Sequence, residues 1–242
     1  MRKNADILEY IACIFFPNRC IFCGEILPPN EESLCDRCRE GLPFIKGEIC
    51  YNCGADCENC SCGKKHGDFF DKSVSSFYYI DDVQECIHRF KFRSDKRAGI
   101  ELARLMSETC RQRYPDVKFD YVAYVPMDKK RQRIRGYNQS RLLAEYIADE
   151  CRIPFGDNLI TKIYPTEVQH LRSETERKGN LLGAFDINKK YNIDGKTILL
   201  VDDVKTSGST LSECGKMLYL YGAENVFCLT TALVNSKMND SE

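Results

Sequence analysis

The sequence predicts an α/β fold, a parallel sheet flanked by helices, preceded by a small cysteine-rich module. Three observations lead there. Ten of the 15 cysteines lie in the first 62 residues, so a cysteine-dependent unit precedes an ordinary domain. From about Asp68 onward, strand-like and helix-like segments alternate, the pattern of a parallel sheet covered by helices. Near the end, ILLVDDVKTSGSTL (Ile198 to Leu211) joins an apolar run, two acids, a loop of small residues and a helical pattern.

At the amino terminus, Ile7, Leu8, Ile11, Ile14 and Phe15 share one side of an expected amphipathic helix over Ile7 to Phe16. Glu9 interrupts this run, and it is too short to span a bilayer, so neither a secretory signal nor membrane insertion is expected. Without export the compartment is reducing, and clustered cysteines favour metal over disulfides. Cys20 with Cys23 and Cys35 with Cys38 form two C-x2-C pairs on two turns, a spacing that can close tetrahedrally on Zn2+. A second set holds Cys50, Cys53, Cys57, Cys60 and Cys62, so five thiols compete for four positions. The favoured set is Cys50, Cys53, Cys60 and Cys62 with Cys57 spare, although Cys57 and Cys60 also form a C-x2-C pair. His66, after Lys64 and Lys65, is expected to face solvent. Gly24 and Gly54 directly follow the second cysteine of a pair, where a tight turn is needed. About sixty residues with little core need such a staple, so the two zinc ions are expected to be structural. The module is assigned to residues 1–66 and the second domain to 67–242.

In that second domain, Ser73 to Ile80 reads as a strand. Asp81 to Phe92 and Lys96 to Arg113 read as helices, the latter with Ala98, Leu102, Leu105, Met106 and Thr109 at helical spacing. Tyr121 to Val125 is a strand ended by Pro126, and Asn138 to Cys151 is a helix. Leu159 to Tyr164 is a short strand, and Arg172 to Leu182 a polar loop or short helix. Strand Thr197 to Val201, helix Ser209 to Tyr221 and strand Val226 to Ala232 complete the domain. Between the strand at Val125 and the helix at Asn138, Lys129, Lys130, Arg131, Arg133 and Arg135 crowd an expected loop suited to pyrophosphate. Thr166 to Phe185 is rich in Arg and Glu, either a cover over a site or an exposed helix, and His170 within it is a possible base.

The chemistry concentrates at Asp202 to Thr210. Asp202 and Asp203 stand at the carboxyl end of a buried strand, where open α/β sheets bind ligands. Thr206, Ser207, Gly208, Ser209 and Thr210 offer hydroxyls and backbone N–H groups where a helix opens, a natural phosphate site. No Gly-Lys-Ser/Thr follows a Gly-rich run and no G-x-G-x-x-G is present, so neither a P-loop nor a dinucleotide fingerprint accounts for it. The pattern suits a sugar bearing a 5′-phosphate. Lys+Arg 35 against Asp+Glu 36 gives a net charge of −1, so any case for nucleic acid rests on local patches.

The VDDVKTSGST run resembles the phosphoribosyl-pyrophosphate (PRPP) motif of type I phosphoribosyltransferases. The whole chain resembles the ComF family, through C-x2-C-G at Cys20 and Cys50, F-K-F at Phe90 to Phe92, and V-P with R-G-Y-N-Q at Val125 and Arg135 to Gln139. The resemblance continues through Gln169, Arg177, Asn180, Ala184 and Phe185. It implies a type I phosphoribosyltransferase-like fold behind a zinc-ribbon module. It also implies PRPP binding by Asp202, Asp203, Thr206, Ser207, Gly208, Ser209 and Thr210, with the acids on the ribose hydroxyls and Mg2+ on the pyrophosphate. It further implies a cytoplasmic role in natural competence, with single-stranded DNA and other competence proteins as partners. Two readings follow. In a transferase, Asp202 and Asp203 act with Lys130 and Arg131 on the leaving pyrophosphate. In a non-catalytic protein, either the loop is kept as a PRPP sensor without transfer, or basic segments Arg89 to Arg97 and Lys129 to Arg135 track a single strand of DNA, with Tyr78, Tyr79 or Tyr137 stacking bases.

Overall fold

A computed structural model describes residues 17–28, 33–60, 62, 68–93, 95–163, 184–235 and 237. The expected helix at 7–16, most of the 166–185 segment with Gln169, His170, Arg177 and Asn180, and Lys64, Lys65 and His66 lie outside the described residues. So does 63–67, where the domain boundary was drawn. The described elements, in chain order, are α1 (Asp36–Gly41), β1 (Lys72–Tyr78), α2 (Asp81–Phe92), α3 (Lys96–Arg113), β2 (Tyr121–Tyr124), α4 (Lys129–Arg135) and α5 (Gln139–Cys151). They continue with β3 (Ile160–Lys162), β4 (Phe185–Ile187), β5 (Thr197–Lys205), α6 (Ser209–Leu220) and β6 (Asn225–Leu233). None of the described helices is long and apolar enough to cross a membrane.

Four strands form one sheet in the order β1-β6-β5-β2, and every pairing is parallel. The central strand β5 explains its own sequence. Ile198, Leu199, Leu200 and Val201 are all fully buried because both faces of the sheet are covered. Successive side chains point to opposite faces. Leu199 and Val201 join the core beneath α2, α3 and α5, whereas Ile198 and Leu200 join the core beneath α6.

Two segments depart from the sequence expectation. Lys129 to Arg135 is a short helix, not a loop. Asp128 caps it by accepting from the Lys130 N–H at 2.8 Å, and Gly136, at φ +82°, ends it in the left-handed region. Gly136 therefore closes one helix rather than opening the next, whose cap is Asn138. Second, the strand expected near Leu159 does not extend the main sheet. Its core, β3, pairs antiparallel with β4, Ile160 opposite Ile187, in a separate two-stranded ribbon.

The cysteine-rich module is not tethered loosely. Residues 43–45 run antiparallel along the free edge of β1. Tyr78 N–H donates to Pro43 at 2.9 Å and Ile45 N–H donates to Ser76 at 3.0 Å. This covers an edge strand that would otherwise expose its pairing groups. Phe77, with no exposure, packs between Phe22 and Phe44, ring centres 5.8 and 4.5 Å away. One apolar core thus runs from the module into the domain. Arg113 fastens the contact by donating to the Gly47 and Ile45 carbonyls at 2.6 and 2.9 Å. Phe77→Ala should accordingly cost about 3–5 kcal/mol in urea denaturation, with faster zinc loss from the folded chain. A cost below about 1 kcal/mol would show that the seam is not a shared core.

Candidate functional site

Strand β5 runs on to Lys205, so Asp202 and Asp203 lie within its last turns of pleat, paired to β6 with Asp202 opposite Thr230. Asp202 Oδ1 accepts from Ser140 Oγ at 2.7 Å and from the Asp203 N–H at 2.9 Å. Asp203 Oδ1 pairs with Lys91 Nζ at 3.0 Å, both side chains mostly covered. Burial, and next the charge of Asp203, push the Asp202 carboxyl up to about 7; the two hydrogen bonds and Lys91 only partly offset this.

The partners of these acids come from motifs far apart in sequence. Asn138 caps α5 by accepting from the Arg141 N–H at 3.3 Å, and its Nδ2 donates to Val125 at 3.2 Å. That fixes the first turn of α5 against the end of β2 and delivers buried Ser140 to Asp202. Tyr137 O–H donates to the Phe90 carbonyl, and Gln139 Nε2 donates to the Lys91 carbonyl at 3.4 Å. The F-K-F and R-G-Y-N-Q segments therefore meet, and together they place Lys91 and Ser140 on the acid pair. Neither residue was singled out from sequence. The signal lies in the two motifs themselves, F-K-F and R-G-Y-N-Q, which meet only in the folded chain.

Beyond the acids, Thr206, Ser207, Ser209 and Thr210 are exposed, and Gly208 is buried at φ +79°. Gly208 is the N-cap of α6 and offers no side-chain acceptor to the first-turn N–H groups. Ser207 Oγ lies 3.0 Å from Ser209 Oγ. The result is a solvent-facing bend of hydroxyls at the opening of a twelve-residue helix, with the chemistry of an anion site.

Lys130 and Arg131 are exposed on α4, and the described contacts do not join either to the acid pair. It is Lys129 that lines a groove of about 420 Å3 beside α4, together with Tyr124, Gln132, Asn138, Arg141 and Lys162. Of the stacking tyrosines named from sequence, Tyr79 is half-buried and the other two are engaged elsewhere. Tyr78 is buried and bonded to Asp56, and Tyr137 is tied to Phe90. Arg89 and Arg97 turn toward the module, donating to carbonyls at Ile21, Phe22 and Arg19. Phe92 is an exposed aromatic at the end of α2, with the Arg135 guanidinium 4.9 Å and the His88 ring 4.7 Å from its centre.

The structure gathers two sets of four sulfurs: Cys20, Cys23, Cys35 and Cys38, and Cys50, Cys53, Cys60 and Cys62. Within each set the sulfurs lie within 4.8 Å of one another. Cys23 and Cys35 are 3.7 Å apart, Cys50 and Cys62 3.6 Å, Cys53 and Cys60 3.6 Å, and Cys60 and Cys62 3.4 Å. A zinc tetrahedron with arms of about 2.3 Å has edges of about 3.8 Å, so the donor sets fit that ion. Cys57 is exposed and outside the second set. Gly24 and Gly54 take φ +75° and +89° at the knuckle turns, where their N–H groups donate back to Cys20 and Cys50. Burial acts to raise the Cys50 thiol, but the Cys53 and Asn52 N–H groups together with the Cys60 and Cys62 thiols bring it down to about 7, toward the thiolate that metal binding requires.

Residues 11–68 match the model of a double zinc ribbon domain, and residues 138–242 match that of a phosphoribosyl transferase domain. Competence protein F of Haemophilus influenzae is 32% identical over 223 residues, 88% of this chain and 95% of its own length. Competence protein ComFC of Bacillus subtilis is 32% identical over 203 residues, 80% of each chain. The solved glutamine PRPP amidotransferase of B. subtilis superposes with a TM-score of 0.41 at 20% identity, over 55% of this chain and 25% of its own.

Because the folded pKa of Asp202 lies above the ordinary carboxylate value near ~4, its ionisation costs stability as pH rises from about 4 to 7. Asp202→Asn should therefore raise Tm at pH 8 by roughly 2–4 °C per kcal/mol relieved, a gain that shrinks as pH falls toward ~4. Calorimetric melts across that range check it. A Tm unchanged or lower at pH 8 would contradict the crowding of charge at this site.

Proposed function

This chain belongs to the ComF family, and from that premise we propose that it binds PRPP at the carboxyl end of β5 and acts in natural competence, on DNA taken up by the cell. The observation that carries the reading is the pair Asp202 and Asp203, held in place by Ser140 and Lys91, followed at once by the uncapped opening of α6. Both carboxylates accept the ribose 2′- and 3′-hydroxyls. Thr206 to Thr210 wrap the 5′-phosphate with hydroxyls and first-turn N–H groups. Lys91 tempers the repulsion between the acids. Two hard carboxylates fit a hard cation, and Mg2+, when bound with PRPP, supplies neutralising charge at the pyrophosphate. In the transferase reading, an acceptor base or other nucleophile forms a bond to C1′ as the bond from C1′ to the pyrophosphate oxygen breaks, and charge builds on the departing pyrophosphate. Lys130 and Arg131, exposed on the surface of α4, would approach to stabilise it. The two cysteine sets hold zinc structurally, Cys20, Cys23, Cys35 and Cys38 in one site and Cys50, Cys53, Cys60 and Cys62 in the other. The protein works in the cytoplasm.

A second reading, direct contact with single-stranded DNA and other competence proteins, is favoured by one feature. Exposed Phe92, backed by Arg135 and His88, stands beside exposed Arg93 and Lys96, an aromatic platform in basic surroundings.

Isothermal calorimetry with PRPP and Mg2+ tests the first reading. Asp202→Ala combined with Asp203→Ala should abolish measurable binding while wild-type binds; undiminished binding would refute the assignment. For the second, affinity for a single-stranded oligonucleotide should fall steeply with salt and drop about fivefold or more in Phe92→Ala, consistent with the loss of one stacked base. A flat salt response and an unchanged affinity would remove the platform from the account.

A further inference from the structure

Lys205 is the last residue of β5, between the acid pair and the phosphate-type bend, and it is only 4% exposed. A lysine buried so deeply needs partners for its ammonium. Nζ donates to the Asn52 carbonyl at 2.9 Å and to Ser73 Oγ at 3.0 Å, and lies 4.8 Å from the centre of the Phe70 ring. Asn52 sits inside the Cys50–Cys53 knuckle, and its side-chain amide donates to Cys62 Sγ at 3.7 Å. The next residue of the same turn, Cys53, is a member of the second sulfur set. At its other end the lysine supports the bend. A Cβ added at Gly208 would lie 3.0 Å from Lys205 Cε. The side chain therefore fills the space directly behind Gly208, while its head is gripped by the knuckle. Further bonds seat the knuckle here. Ser73 N–H donates to Tyr51 at 2.6 Å, and Asn235 Nδ2 donates to Asn59 at 3.0 Å. A four-thiolate zinc site carries a formal charge of −2, and the Lys205 ammonium is a buried cation beside it.

We infer that Lys205 is a positioning residue that couples the second cysteine site to the Thr206–Thr210 bend: a metal-fixed knuckle holds the lysine under Gly208, and the lysine in turn holds the bend in its anion-binding shape. The inference rests on the reading of that bend as a phosphate site and adds to it a control by zinc. Coupling of this kind is reciprocal. If zinc in the second site favours the binding shape, ligand in the bend must favour retention of that zinc.

Two measurements on the full chain decide it. The first is calorimetry with PRPP and Mg2+ on wild-type and Lys205→Met, with zinc content measured by atomic emission and folding by thermal melt. The expected result is a variant that retains its fold and weakens PRPP binding about tenfold or more, the loss of a buried charged hydrogen-bonding group. The second needs no variant. Zinc release by a thiol-reactive mercurial, followed with a chromogenic indicator, should show two phases in wild-type. Saturating PRPP should slow one of them several-fold and leave the other unchanged, and the slowing should vanish in Lys205→Met. Wild-type binding with identical affinity in a folded variant, or zinc release indifferent to PRPP, would overturn the coupling. Absence of PRPP binding by wild-type would overturn instead the phosphate reading beneath it.

Discussion

Two carboxylates sit side by side at the covered end of the central strand, and much of the surrounding architecture follows from the need to keep them there. Burial disfavours the charged form of Asp202, the charge of neighbouring Asp203 adds to this, and the carboxyl is pushed up to about 7. The protein answers with Ser140 on one acid and Lys91 on the other. Each answer is itself built. Ser140 arrives because Asn138 pins the start of α5 to Val125, and Lys91 arrives because Gln139 and Tyr137 grip the end of α2. A carboxylate whose burial costs stability in the free protein is a usual physical signature of a functional position rather than a structural one.

The amino-terminal module belongs to the same construction. A staple alone would explain its cysteines, since sixty residues with little core fold poorly without one. It does not explain why residues 43–45 line the edge of β1, why Phe77 is shared between the two parts, or why Arg89, Arg97 and Arg113 all reach back to module carbonyls. The module closes the open edge of the sheet, and through Asn52 it reaches to the end of β5.

Much of this was legible in the sequence. The β5–α6–β6 unit was readable because a buried parallel strand is a plain apolar run, ILLV, and because Gly208 marks a positive φ. The helices α2 and α3 were readable to the residue, since α2 opens on Asp81 and Asp82, α3 follows the capping Asp95, and the apolar spacing agrees. The short helix α4 was missed because its seven residues, KKRQRIR, carry no apolar face. Only its ends, Asp128 and Gly136, announced it. Strand β4 has three residues and pairs with a segment 25 positions earlier, so no local pattern could reveal it. Lys91, Ser140 and Lys205 were missed for a related reason. Each acts through a partner between 62 and 153 positions away, and a single sequence shows which residues are present but not which meet. Tyr78, proposed as a stacking surface, went the other way: an aromatic residue in a strand was spent on the core and on a hydrogen bond to Asp56.

The most direct test of the central claim is a crystal structure of the full chain with PRPP and Mg2+. The account predicts the ribose 2′- and 3′-hydroxyls within hydrogen-bonding distance of Asp202 and Asp203, and the 5′-phosphate seated on the backbone N–H groups of the Thr206–Thr210 bend. PRPP bound elsewhere, with the acid pair still closed on Ser140 and Lys91 and the bend empty, would contradict it.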